Sequence, residues 1–95
     1  MIDPVEASTA RRALLAKGFE EAKNRDHFYA FLYIDGKKTA FWVKISHGAR
    51  QIRRDEIKIN AQSVGIKGED LYLILCCTHD AEKTKDLYLK ALSNR

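Results

Sequence analysis

Two histidines stand at the open end of a predicted β-hairpin. His27 begins one alternating apolar stretch, which runs to Ile34, and His47 follows a second such stretch over residues 39–46. The intervening residues 35–38 (Asp-Gly-Lys-Lys) are a turn signal. Histidine is the side chain that gains and loses a proton near neutral pH. Two imidazoles brought together there could cut or hold RNA, although histidines at strand ends are also common as ordinary surface residues.

Cationic side chains near this end of the hairpin could neutralise phosphate. Metal-free RNA cleavage needs a base, an acid and cations for the charge on phosphorus. Lys44 and Arg25 are the nearest candidates in sequence, and Arg25 is the better one because its planar fork matches two phosphate oxygens. Asp26 could orient a histidine. These residues predict an RNA site built around His27 and His47.

A second basic group precedes the next predicted helix. Arg50, Arg53 and Arg54 form the densest basic patch in the chain. A patch beside a helix start could bind phosphate. The alternative that these arginines belong to a solvated loop and helix cap stays open at this point.

Strand alternation divides the hairpin into an apolar face and an aromatic face. The apolar, core-facing set is Phe28, Ala30, Leu32, Ile34, Phe41, Val43 and Ile45, and the opposite set is His27, Tyr29, Phe31, Tyr33, Trp42, Lys44 and Ser46. If Gly36-Lys37 is the loop, Tyr29 lies opposite Lys44 and His27 opposite Ser46. Exposed rings such as Tyr29 could stack RNA bases. They could equally stabilise the sheet as cross-strand pairs or be covered by a partner chain.

The remaining pattern predicts helices around this hairpin. A first helix is expected from an Asp3 cap to Lys17, a short strand follows over residues 19–22, and Asp55 is expected to cap a second helix that ends at Val64. A short helix is predicted over residues 69–77. The final helix, capped by Thr78 or Asp80 and ending near Ser93, is expected to use Leu87, Leu89 and Leu92. The order predicts an α+β fold of the double-stranded-RNA-binding-domain shape: helix, three-stranded antiparallel sheet and helix, with additional C-terminal helices.

Length and composition limit the possible functions. A chain of 95 residues predicts one domain, with a core over about 3–75 and a helical extension over about 78–93. A net charge of +4 is compatible with a polyanionic partner. Cys76 and Cys77 are adjacent and form neither a zinc motif nor a disulfide framework, so a reducing, cytoplasmic location is expected. No membrane span, metal site or cofactor motif is expected.

Short motifs along the chain resemble the HicA family of small toxins. They are Lys17-Gly18-Phe19, Asp26-His27-Phe28-Tyr29, Ser46-His47-Gly48, residues 60–66 (Asn-Ala-Gln-Ser-Val-Gly-Ile) and Glu69-Asp70-Leu71. The resemblance covers roughly residues 10–75. It implies the same double-stranded-RNA-binding shape and the activity of a metal-independent ribonuclease toxin, whose site a partner antitoxin covers.

The resemblance also assigns residue roles. It places the catalytic histidine at the start of the second strand of the three-stranded sheet, which is His27, and a second histidine after the third strand, which is His47. The chain departs from the family pattern where Arg25-Asp26 replaces the usual Gly-Ser and where the C-terminal helix is added. A non-catalytic module that binds RNA or protein through the aromatic face and basic loop is the alternative.

Overall fold

The chain forms an α+β fold, for which a computed structural model describes residues 2–22, 27–46, 48–76 and 78–93. In chain order the elements are β1 (Val5–Glu6), α1 (Ala7–Ala16), β2 (Phe19–Glu21), β3 (Phe28–Ile34), β4 (Lys37–Ile45), β5 (Gln51–Ile52), α2 (Arg54–Val64), α3 (Gly68–Leu75) and α4 (Ala81–Ser93). Strands β2, β3 and β4 form an antiparallel sheet in that order, and β1 pairs with β5. The predicted fold class is confirmed.

One face of the three-stranded sheet builds the hydrophobic core, as the alternation predicts. The predicted core residues of β3 and β4 are buried except Ile34, which is half-buried against the same cluster. Helices α1 and α2 pack on this face through their predicted stripes, Ala7, Ala10 and Leu14 in α1 and Ile57, Ala61 and Val64 in α2. These two helices therefore leave the opposite face of the sheet uncovered.

The hairpin turn differs by one residue from the expected one. Asp35 and Gly36, not Gly36 and Lys37, form the loop, and both have positive φ angles of 53° and 77°. Two consecutive left-handed residues are typical of a tight type I′ hairpin turn, in which glycine is favoured. The Asp-Gly pair therefore determines the turn, and Ile34 lies opposite Lys37.

A bulge in β4 restores the predicted register beyond this turn. Phe31 lies opposite Trp42 but Tyr33 lies opposite Lys38, so two extra residues of β4 are accommodated between these pairs. Thr39 stabilises the bulge, because its Oγ1 donates to the Leu32 carbonyl at 2.7 Å and accepts the Phe41 N–H at 3.2 Å. Because two residues preserve the alternation, each side chain stays on its predicted face.

The expected starts of the first two long helices are wrong. Helix α1 begins at Ala7 instead of directly after Asp3, because Val5 and Glu6 pair with Ile52 and Gln51 as a second, two-stranded sheet. Val5 is buried in the core, so tertiary pairing overrides the local capping signal. Helix α2 begins at Arg54, and its N-cap position is Arg53 instead of Asp55.

The C-terminal helix packs into the main core through only one of its three predicted leucines. Tyr88 is buried and stacks on Phe41 with ring centroids 5.8 Å apart, and its hydroxyl accepts the Ala40 N–H at 3.2 Å. Leu87 is half-buried against the core, as expected, whereas Leu89 and Leu92 are exposed, contrary to expectation. The expected stripe fails because the buried positions of α4 are Thr84, Tyr88 and Ala91. Asp80 is the cap, since its Oδ1 accepts the Lys83 N–H at 2.8 Å.

The short third helix, Gly68–Leu75, confirms that the predicted segment is helical, although the helix ends before Cys76, its C-cap residue. A buried lysine ties it to the first helix. Lys17 is 5% exposed, and its Nζ donates a hydrogen bond to the Ile74 carbonyl in the last turn of α3. This contact fixes the end of α1, and therefore the start of the three-stranded sheet, against the helical layer.

Candidate functional site: the open face of the sheet

The face of the sheet opposite the helices carries aromatic and basic side chains in one surface, which we call the open face. Its central members are Tyr29, Phe31, Tyr33, Trp42 and Lys44, all half-buried. Tyr29 lies directly opposite Lys44, as predicted. The ring centroids of Tyr29 and Trp42 are 5.8 Å apart with planes inclined by 47°, so each ring supports the other. The open face therefore presents tilted aromatic surfaces beside an ammonium group.

Two residues that the sequence reasoning left out make this face electrostatically asymmetric. The Lys38 ammonium lies 3.9 Å from the Phe31 ring centroid, a cation–π contact that places a second positive charge on the β4 side. On the β2 side, Glu20 lies opposite Phe31. Alternation applied along β2 and the whole of β4 would have placed Glu20 and Lys38 on this face, whereas the position of Lys38 opposite Tyr33 depends on the bulge. A polyanion is therefore favoured along β3 and β4 and disfavoured along β2.

Helix α2 holds the β4 edge next to the open face. Asn60 is buried, and its Oδ1 accepts the Lys44 N–H at 3.1 Å while its Nδ2 donates to the Glu56 carbonyl at 2.8 Å. The amide thereby satisfies a backbone N–H of β4 that faces away from β3. Trp42 and Lys44 line a hollow of about 200 Å³ with Asn60 and the exposed Ile59.

Replacing Asn60 with alanine is expected to destabilise the protein by about 1–3 kcal/mol, because the Lys44 N–H loses its acceptor. Urea unfolding measures the loss, and amide exchange at Lys44 should accelerate. Gln62→Ala, at an exposed position of the same helix, is the matched control and should change stability little. Equal unfolding free energies for the two variants would contradict the role assigned to Asn60.

His27 occupies the position directly before β3 and is half-buried. The register ends at the pair Phe28–Ile45, so His27 and Ser46 are the next residues beyond the last pair. His27 thus belongs to the same end of the sheet as the end of β4. His47 and Arg25 lie outside the described residues, and their predicted roles stay predictions.

The three arginines of the predicted basic patch, Arg50, Arg53 and Arg54, each contact different parts of the protein. Arg53 is exposed and close to two carboxylates, since its Nε lies 3.4 Å from Glu56 Oε1 and 3.8 Å from Asp55 Oδ1. Arg54 donates from Nε to the Ile2 carbonyl at 3.0 Å. Arg50 is exposed and lines a hollow together with Arg11 of α1. Nearby acids thus offset the Arg53 charge, whereas Arg50 shares its hollow with Arg11, a second arginine that the sequence pattern did not indicate.

The remaining titratable groups of note belong to the helical layer. His79 Nε2 lies 3.3 Å from Asp70 Oδ1 of α3, and Asp80 caps α4. A hydrogen bond with Cys76, and then the negative charge of its thiolate, raise the pKa of Tyr72. Among the described residues, no three metal-ligating side chains cluster, and no helix is long and apolar enough to cross a membrane.

Comparisons of the chain with family models, curated proteins and solved structures find no match.

Proposed function

We propose that the chain is a HicA-like RNA-binding domain that holds single-stranded RNA on the open face and cleaves it without a metal ion at His27. The observation that carries the proposal is the single surface on which Tyr29, Trp42 and Lys44 lie together, with His27 directly before its central strand. Aromatic rings stack on unpaired bases regardless of sequence, and lysines neutralise the backbone. The RNA lies along the β4 side of the open face, which carries Lys38 and Lys44.

Cleavage would use the ribose 2′-hydroxyl as the nucleophile. His27 takes the 2′-hydroxyl proton while the 2′-oxygen attacks phosphorus, the bond from phosphorus to the 5′-oxygen breaks, and that leaving oxygen takes a proton from a second acid. The products are a 2′,3′-cyclic phosphate and a 5′-hydroxyl. His47, which follows the strand paired with that of His27, is the proposed second proton carrier.

A second candidate function is protein binding at the same edge, which Ile59 supports. Its side chain is 64% exposed and lines the hollow beside Trp42 and Lys44. An exposed aliphatic residue next to an aromatic platform suits a protein surface better than a polyanion. An antitoxin-like partner that covers this edge would block the RNA path.

Replacing Trp42 with alanine is expected to weaken binding of a single-stranded RNA oligonucleotide by about 1–3 kcal/mol, because one stacking surface is lost. Fluorescence anisotropy at fixed salt measures the affinity. Tyr72→Ala, which removes a half-buried ring from α3, is the matched aromatic control and should leave affinity unchanged. Equal RNA affinities for the wild type and the folded Trp42→Ala variant would refute binding on the open face.

A further inference from the structure

A hollow of about 510 Å³ lies between the start of α1 and the segment that leads into β5. Two arginines line it, Arg11 from α1 and Arg50 from the segment, together with the Ser8 side of the helix. One carboxylate, Glu6, lines it as well. Two guanidinium groups against one carboxylate leave the hollow with a net positive charge.

Arg11 has hydrogen-bonding capacity that the described residues do not use. Its guanidinium carbon lies 5.5 Å from the ring centroid of Phe28, so the side chain is held against the first residue of β3. Its Nε is buried and has no hydrogen-bond partner among the described residues. A buried N–H of a charged group without an acceptor is unfavourable, and an anion entering the hollow could supply one.

Arg50 is held on the other side of the hollow by its own backbone. Its carbonyl accepts the Ala7 N–H at 2.9 Å, and the next residue, Gln51, pairs with Glu6. These bonds tie the segment to the start of α1, while the Arg50 side chain stays exposed. The two guanidinium groups thus belong to two segments of the chain, and the pairing of β1 with β5 sets the relative position of these segments. Their planar forks suit the oxygens of one phosphate group.

The hollow is at the histidine end of the three-stranded sheet. Phe28, against which Arg11 packs, directly follows His27, and the end of β4 at Ile45 leads into the segment that carries Arg50. An RNA strand that lies along β4 and leaves the open face at this end would pass from His27 toward α1. We propose that Arg11 and Arg50 together bind one backbone phosphate of that RNA, an inference that rests on the proposed function.

Titration with inorganic phosphate, followed by backbone amide NMR signals, tests the site without RNA. Signals of Ser8, Ala49 and Gln51 should shift in the wild type. Arg50→Ala should weaken phosphate binding by about tenfold or more, because a charge-assisted hydrogen bond is lost. Arg12→Ala, an exposed neighbour of Arg11 on the same helix, is the charge-matched control and should not change it.

Two further variants keep the phosphate test independent of folding defects. Arg11→Lys retains the charge and most of the stem that packs on Phe28 but loses the fork, so phosphate should bind more weakly to a folded protein. Glu6→Gln removes the opposing charge and should strengthen phosphate binding. Phosphate binding that does not respond to either substitution would overturn the site.

The salt dependence of RNA affinity then connects the site to the proposed function. Loss of one phosphate contact should reduce the slope of log affinity against log salt by about 0.7 in Arg50→Ala, and not in Arg12→Ala. Absence of phosphate-induced shifts in the hollow would overturn the site even if RNA binds. Phosphate binding without any RNA binding would instead refute the proposed function, and with it the assignment of the phosphate to RNA.

Discussion

Replacing His27 with alanine is expected to lower the rate of RNA cleavage by about 10²–10⁴-fold, because a positioned proton carrier contributes a factor of this size. RNA affinity should stay near the wild-type value, since the stacking rings and Lys44 are unchanged. The measurement is cleavage of a defined single-stranded RNA in EDTA, with product ends analysed for the cyclic phosphate.

His79→Ala is the matched control for that measurement. His79 is also half-buried, but it contacts Asp70 in the helical layer, so its loss should not affect cleavage. Equal cleavage by the wild type and His27→Ala would contradict the catalytic assignment. Intact RNA with the folded wild type would also contradict it, and only the binding function would then stand.

Replacing Phe41 with alanine is expected to destabilise the fold by about 3–5 kcal/mol. Its ring is fully buried, meets Phe19 edge-on at 5.1 Å and stacks on Tyr88 at 5.8 Å. The substitution therefore leaves a cavity where strands β2 and β4 meet the C-terminal helix α4. Urea unfolding of the purified variant gives the free-energy change.

Phe31→Ala is the control for Phe41, because it removes the same ring from the adjacent strand but on the open face. Phe31 is half-buried and contacts Lys38, so its loss should be much less destabilising. Similar losses in the two variants would contradict the assignment of the two faces and the integration of α4 into the core.

The faces of the sheet could be predicted because alternation is a local property of the chain. Phe41 and Phe31 have the same side chain and lie on opposite faces, as their positions in their strands require. The Tyr29–Lys44 pair was predicted from a loop that proved wrong by one residue. It was still correct because the two extra residues in β4 offset the shifted turn.

The two-stranded sheet and the packing of α4 could not be predicted from local patterns. Val5 and Ile52 are separated by about half of the chain, and nothing in their immediate sequences indicates that they pair. Helix α4 contains three leucines, yet its largest buried side chain is Tyr88. The Tyr88 ring stacks on Phe41, and its hydroxyl accepts a hydrogen bond from the Ala40 N–H. Such choices depend on which surface the rest of the fold leaves uncovered.

The candidate site was predicted in part for the same reason. Tyr29 and Lys44 follow from hairpin alternation, but the nearness of Arg11 to Arg50 depends on the pairing of β1 with β5. Arg53 was predicted to be available for phosphate from its place in a basic run. Its proximity to Asp55 and Glu56 arises from the helix cap, which the run itself does not indicate.

The location of RNA on the protein is the measurement that tests the central claim most directly. Backbone amide NMR signals are followed while a short single-stranded RNA is added to the His27→Ala variant. This variant is used because it should not cleave the RNA during the experiment. The account predicts that signals of Tyr29, Trp42 and Lys44 shift together while those of α3 stay in place. Shifts confined to α3 and α4, or no shifts at all, would contradict RNA binding on the open face.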